Sequence, residues 1–172
     1  MKVLVVVDMQ NDFIDGALGT KEAQAVLPRV VEKVRGFEGK VVFTRDTHEK
    51  DYLQTQEGRR LPVEHCIRQS RGWEIHDQLK PFCEDGPVDK VTFASVDLGQ
   101  KMVQWNREDR ITSIELAGLC TDICVISNAM LLKAFLPEVE IIVDSTCCAG
   151  VAPESHERAL EAMEVCQITV RR

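Results

Sequence analysis

Cys124 follows an apolar, β-type run (Ile111–Leu116) and a glycine at 118, and it precedes a helical pattern. It therefore falls in or beside the first turn of a helix. A helix N-terminus carries roughly half a positive charge and unpaired backbone N–H groups. Both favour thiolate over thiol, so a cysteine there can titrate below its free value of about 8.5. The same N–H groups can receive the oxyanion of an attacked carbonyl. One turn thus offers a nucleophile and an oxyanion hole. Taken alone, Cys124 reads more simply as a small buried hydrophobe, because free cysteine is among the most buried residue types. Other segments carry the distinction.

Asp8 closes a second apolar run, Val3–Val7. In open α/β sheets, ligands bind beyond the carboxyl ends of the strands, where the winding direction reverses. If the first and fourth strands are neighbours there, Asp8 and Cys124 face one crevice. A carboxylate in that place could take the thiol proton and pass it to a leaving group. Asp after a strand also commonly caps a turn. Lys90 ends or follows a third strand and could stabilise both anions, or could simply be solvated. Asp46-Thr-His48 follows the second strand, with His65 farther along. Alternate strand residues share a face, so Asp46 and His48 point the same way. With His65 they form a possible divalent site of oxygen and nitrogen donors, to which Glu57 would add a fourth ligand. The plainer reading of Asp-x-His is a hydrogen-bonded loop. His76 and His156 have no ligand spacing. Cys120, Cys124, Cys147 and Cys148 could make a thiolate zinc site, but their flanks are those of sheet and helix core. No glycine-rich phosphate loop is present.

The elements that must position these groups alternate along the chain. Strands are expected at Val3–Val7, Val41–Thr44, Val88–Val91, Ile111–Leu116, Val139–Val143 and Ile168–Val170. Between them lie helical patterns: one from Thr20 to near Gly36, one capped by Asp97, one over about Thr121–Ala134, and one opened by Pro153. Such alternation means a mostly parallel sheet with helices on both faces. The irregular stretch from Asp46 to about Pro87 is too long for a simple connector, and such loops are usually functional.

At 172 residues the chain is expected to be one domain spanning 1–172. A net charge of -7 argues against a nucleic-acid or anionic-membrane surface. No apolar run approaches the roughly 20 residues of a membrane span. Seven cysteines without framework spacing or an export signal point to reduced thiols and a cytoplasmic protein.

Taken in order, Val-Val-Asp8-Met-Gln-Asn-Asp-Phe13, Lys90 with Phe93, Ala-Gly118-Leu-Cys120-Thr-Asp-Ile-Cys124, Asp144 and the segment from His156 to Met163 resemble the isochorismatase-like cysteine hydrolases, and the nicotinamidase branch most. The resemblance implies a three-layer α/β/α fold with a six-stranded Rossmann-like sheet, in the order 3-2-1-4-5-6. It implies Asp8, Lys90 and Cys124 as the catalytic triad, with Asp8 the general base. The oxyanion hole would be the N–H groups of Cys120 and Cys124, beside a cis Leu119–Cys120 peptide. Phe13 would pack on the substrate ring. Asp46, His48 and His65 match the branch's metal ligands for zinc, manganese or iron, and Glu57 less closely. A small-molecule amide, nicotinamide first, is the expected substrate, and a homo-oligomer the expected assembly. The stretch Leu61-Pro-Val-Glu64 departs from the branch, which places an aromatic residue there opposite Phe13. Other readings are a ureido or carbamoyl amidase, isochorismate hydrolysis, or a catalytically silent binding member.

Overall fold

A computed structural model describes residues 1–172. Val3–Val7 is wholly buried, as a strand covered on both faces requires. This run forms β1 (Lys2–Val7), flanked by β2 (Lys40–Asp46) and β4 (Ser113–Leu119). With β3 (Val88–Lys90), β5 (Glu140–Ala149) and β6 (Thr169–Arg171) it makes a six-stranded sheet in the order β3-β2-β1-β4-β5-β6. Every pairing is parallel.

Side chains alternate between faces along β1, and two cores follow from that alternation. Val3, Val5 and Val7 join Leu98 and Met102 of α4 (Val96–Glu108), Ala129 and Leu132 of α5 (Ile126–Phe135), and Leu160 and Met163 of α6 (Pro153–Val165). Leu4 and Val6 join Ala23, Leu27, Val30 and Val34 of α2 (Lys21–Gly36), with Ile75 and Leu79 from the long connection. That connection holds the short helix α3 (Gln56–Arg60), and a further short helix, α1 (Asn11–Ile14), follows β1. No helix is long and apolar enough to cross a membrane.

The sheet order and the helical layers match expectation, whereas several boundaries do not. Ser95, not Asp97, caps α4: its Oγ accepts the Leu98 N–H at 3.1 Å, and Asp97 lies inside the first turn. β5 continues to Ala149, well past Val143, because polar Asp144-Ser-Thr146 hides the strand pattern at a bulge, where the pairing with β4 breaks after Val143 and resumes at Cys148. The expected helix after β4 begins as one π-helical turn, Thr121–Val125, before α5. Gly118 permits the approach of β4 to β1, for its φ is +122° and a Cβ there would lie 2.1 Å from the Val7 carbonyl oxygen. Cys66, Cys124, Cys147 and Cys148 are buried, Cys83 and Cys120 half-buried, and only Cys166 is exposed.

Candidate active site

Three strand ends deliver charge to one point. Asp8 leaves β1 with φ 48° and is fully buried. Its Oδ1 accepts from Thr44 Oγ1 at 2.7 Å, and its backbone N–H donates to the same hydroxyl at 3.2 Å. Thr44 and Asp46 are two apart on β2 and so share a face. Lys90, the last residue of β3, reaches Asp8 Oδ2 at 2.6 Å, Asp46 Oδ1 at 3.2 Å and Cys124 Sγ at 3.4 Å. Its Nζ also donates to the Thr92 carbonyl at 3.2 Å. The sequence-based trio of Asp8, Lys90 and Cys124 therefore converges on one ammonium.

Electrostatics here follow from burial. Burial, then the Asp8 carboxylate, push the Cys124 thiol well above its ordinary value, although Lys90 opposes them. Burial and then the nearby Asp46 also raise Asp8 against the pull of Lys90 and Thr44. Burial alone would lower Lys90, but Asp8, Cys124 and Asp46 outweigh it and hold the ammonium charged. The expectation of a depressed cysteine is thus corrected. Enclosure costs the thiolate more than the helix start returns, so the proton rests on sulfur.

The turn that bears the sulfur is tightly wound. Ile123 and Val125 both donate to the Cys120 carbonyl, at 3.1 and 3.0 Å, and the Leu119–Cys120 peptide is cis. The Cys120 N–H enters none of the turn and loop hydrogen bonds. The Cys120 side chain lines the pocket, and burial pushes its thiol up to about 12.

Asp46 faces two ways. While Oδ1 meets Lys90, Oδ2 lies 3.0 Å from His48 Nε2 and 3.7 Å from His65 Nε2. Glu57 Oε1, from α3, lies 3.6 and 3.9 Å from the same two nitrogens. Ligand atoms of Asp46, His48 and His65 all fall within 4.8 Å of one another. Donors about 2.0–2.1 Å from one tetrahedral zinc stand roughly 3.3 Å apart, close to the spacing seen. His48 Nε2 is buried without a hydrogen-bond partner. His65 Nδ1 is 2.8 Å from the Val63 carbonyl, the second contact that orients a ligating imidazole. An oxygen and nitrogen donor set with an orphaned ring nitrogen fits a borderline divalent ion.

The cavity between these groups has a volume of about 240 Å³. Phe13, Leu18, Leu61, Phe93, Ile123 and Val151 make its apolar wall, and Asp46, Glu57 and His65 its polar side. No lysine or arginine lines it. Phe13 faces His65 with ring centroids 5.6 Å apart. Phe13, Asp46, Glu57, His65, Cys120 and Cys124 line this cavity, Asp8 meets the Lys90 ammonium behind it, and His48 reaches the site through Asp46; His76 and His156 do not line it. Thr44, Gln10 and Asn128 were not singled out. Asn128 of α5 donates to the carbonyls of Phe93 and Cys124 and accepts from Ser95, which ties the pocket wall to the Cys124 turn. A lone Asn on an apolar helix face was the one available signal.

Comparison with known proteins places this geometry. The isochorismatase domain matches residues 2–172. The crystal structure of nicotinamidase PncA from Bacillus subtilis superposes with a TM-score of 0.82 at 30% identity, covering 99% of both chains. That of a pyrazinamidase from Pyrococcus horikoshii in complex with zinc gives 0.81 at 29%, over 99% of this chain and 98% of that one. An N-carbamoylsarcosine amidase from Thermoplasma acidophilum gives 0.76 at 27%, over 99% and 95%. With sequence motifs, sheet order and the domain match in agreement across the whole length, the chain belongs to the isochorismatase family of hydrolases.

Proposed function

We propose that this protein is a cysteine-dependent amidase that hydrolyses a small uncharged carboxamide, nicotinamide first, to the acid and ammonia. The observation that carries the reading is Lys90 Nζ held at once 2.6 Å from Asp8 and 3.4 Å from Cys124, behind a cavity lined by Cys124, Phe13, Asp46 and His65.

In the resting site the proton stays on Cys124, since burial disfavours a second anion beside Asp8. As sulfur attacks the amide carbonyl, Asp8 takes that proton and the negative charge moves to the carbonyl oxygen. The N–H groups of Cys120 and Cys124 receive it. Asp8 then protonates the departing nitrogen as the C–N bond breaks, leaving a thioester and ammonia. Water, deprotonated by Asp8, adds to the thioester, and the acid leaves as sulfur recovers its proton. Lys90 stays charged throughout and offsets whichever partner is anionic. Asp46, His48 and His65, with Glu57 beside them, would hold a divalent ion, zinc by donor chemistry. That ion would supply a Lewis acid to fix a substrate ring nitrogen near Phe13.

Similarity to an N-carbamoylsarcosine amidase supports a second reading, a ureido substrate. Such a substrate brings a carboxylate, and the wall offers it no lysine or arginine. Lys90 is already committed to Asp8 and Asp46. The test is ammonia release from nicotinamide, pyrazinamide, benzamide and N-carbamoylsarcosine, with and without a chelator. Nicotinamide turnover that loses affinity on chelation supports the reading. Preference for N-carbamoylsarcosine would replace it, and no ammonia from any of the four would leave a binding protein.

A further inference from the structure

The ladder between β1 and β2 ends at Val6↔Phe43, three residues short of Asp46. Beyond it, side chains from the turn after Asp8 take over the work of the backbone. Gln10 is fully buried. Its Oε1 accepts the Asp46 N–H at 2.7 Å, and its Nε2 donates to the Asp46 carbonyl at 2.8 Å and the Trp73 carbonyl at 2.9 Å. One amide thus satisfies both backbone groups of Asp46, as a paired strand would. Two residues on, Asp12 Oδ2 accepts the Cys66 N–H at 2.7 Å, next to His65. Gly72 packs so closely on the Asp12 carboxylate that a Cβ there would lie 2.0 Å from it.

The two segments held this way are also joined to each other. His48 N–H donates to the Cys66 carbonyl at 3.0 Å, and Arg68 N–H to the His48 carbonyl at 2.8 Å. They form one unit bearing Asp46, His48 and His65. Gln10 grips that unit at one end and Asp12 at the other.

The geometry points to Gln10 and Asp12 as positioning residues that fasten the metal-ligand unit to the turn carrying Asp8, setting the span between general base and metal. Neither side chain lines the cavity, so each acts through the residues it holds. The inference rests on the reading of Asp46, His48 and His65 as metal ligands. It assigns the polar residues between Asp8 and Phe13 a purpose that the chemistry itself leaves open.

The test uses Gln10→Ala, Asp12→Ala and Asp12→Asn, each checked for parental circular dichroism. Two amides report directly, because the Asp46 and Cys66 N–H groups are the ones these side chains protect. In metal-free protein, hydrogen exchange at Asp46 should quicken about tenfold in Gln10→Ala, and at Cys66 likewise in Asp12→Ala, as loss of one hydrogen bond allows. Amides of the β1–β4 ladder should keep parental rates. Zinc affinity, measured by competition with a chromogenic chelator, should fall about 10–100-fold in both alanine variants, the usual cost of removing groups that orient ligands. Asp12→Asn keeps an acceptor and should restore most of both readouts. Unchanged exchange at Asp46 and Cys66 overturns the proposal. So does lost protection with parental zinc affinity. If the parent protein takes up no zinc, the metal reading fails, and exchange alone decides whether the bracket stands.

Discussion

Lys90 is a single ammonium that meets Asp8, Asp46 and Cys124, and it does so because β3 ends beside the ends of β1 and β2 and the Cys124 turn. Removing it should make the Cys124 thiolate harder to form. In Lys90→Ala, the pH profile of Cys124 alkylation by iodoacetamide is expected to move to higher pH, and an unshifted profile would take Lys90 out of the site. Cys124→Ala should abolish turnover with little loss of stability, since the change removes one sulfur. Cys120→Ala should keep turnover within an order of magnitude, because the proposed mechanism uses only its N–H. The identities of Asp8, Lys90 and Cys124 were legible in sequence, each at the carboxyl end of a strand or just past one. The acidity of Cys124 was not. A helix start is local and visible, whereas the burial that dominates the thiol comes from a core assembled from distant strands and helices, of which Cys124 is a member.

At the scale of elements, the Cys124 turn depends on β4 pressing against β1 without a side chain between them. Gly118→Ala would place a methyl group 2.1 Å from the Val7 carbonyl oxygen at a backbone angle suited to glycine. The expected cost is at least about 2 kcal/mol, a fall in Tm of about 4–8 °C for a chain of this size. Calorimetry of that variant checks it; a parental Tm would mean the strands part easily. Element types and sheet order were readable from alternating apolar runs. Boundaries failed where polar residues occupy a bulge inside a strand, as Asp144–Thr146 do in β5, or where two residues able to cap lie within two positions, as Ser95 and Asp97 do at the start of α4. Gln10 escaped notice for a related reason: its partners lie 36 and 63 residues away.

Across the whole molecule, ion pairs distant from the site and the buried thiols together shape the response to pH. Lys33 of α2 meets Glu115 of β4 at 2.5 Å and Asp144 of β5 at 2.6 Å, and Arg171 of β6 meets Glu115 at 2.9 Å. Burial would raise Asp144, but Lys33 and Thr146 hold it below 3.8. Its contribution is present above that value and is lost as pH falls through the folded value. Burial likewise would lower Lys33, but Asp144 and Glu115 raise it, so its contribution persists below 10.5 and fades above the folded value. His156 is depressed by burial despite Glu157 and Asp122, and its ring lies 2.7 Å from Thr121 Oγ1. His156 therefore removes stability as pH drops below 6.5, where the unfolded histidine protonates first, whereas His48, which burial would lower but Asp46 and then Glu57 raise, adds stability on the same descent. Tm measured against pH should decline above about 9.0, where the unfolded cysteines ionise while the buried thiols of Cys66, Cys120, Cys124 and Cys148 keep their protons, and should decline again below 3.8. A Tm that rises between pH 9 and pH 10.5 would contradict this ordering.

The uneven burial of the seven thiols also gives the molecule an internal ruler for reagents of different size. Cys166 is open to any electrophile, whereas Cys124 is reached only through a cavity of about 240 Å³ with acidic Asp46 and Glu57 on its wall. Iodoacetamide is neutral, slim and itself a primary amide, so it suits that passage. A bulky dianionic disulfide reagent suits it on neither count and should stop at Cys166. The ratio of the two reactions, read by peptide mass, measures how wide the entrance stands, and it does so in the absence of any known substrate.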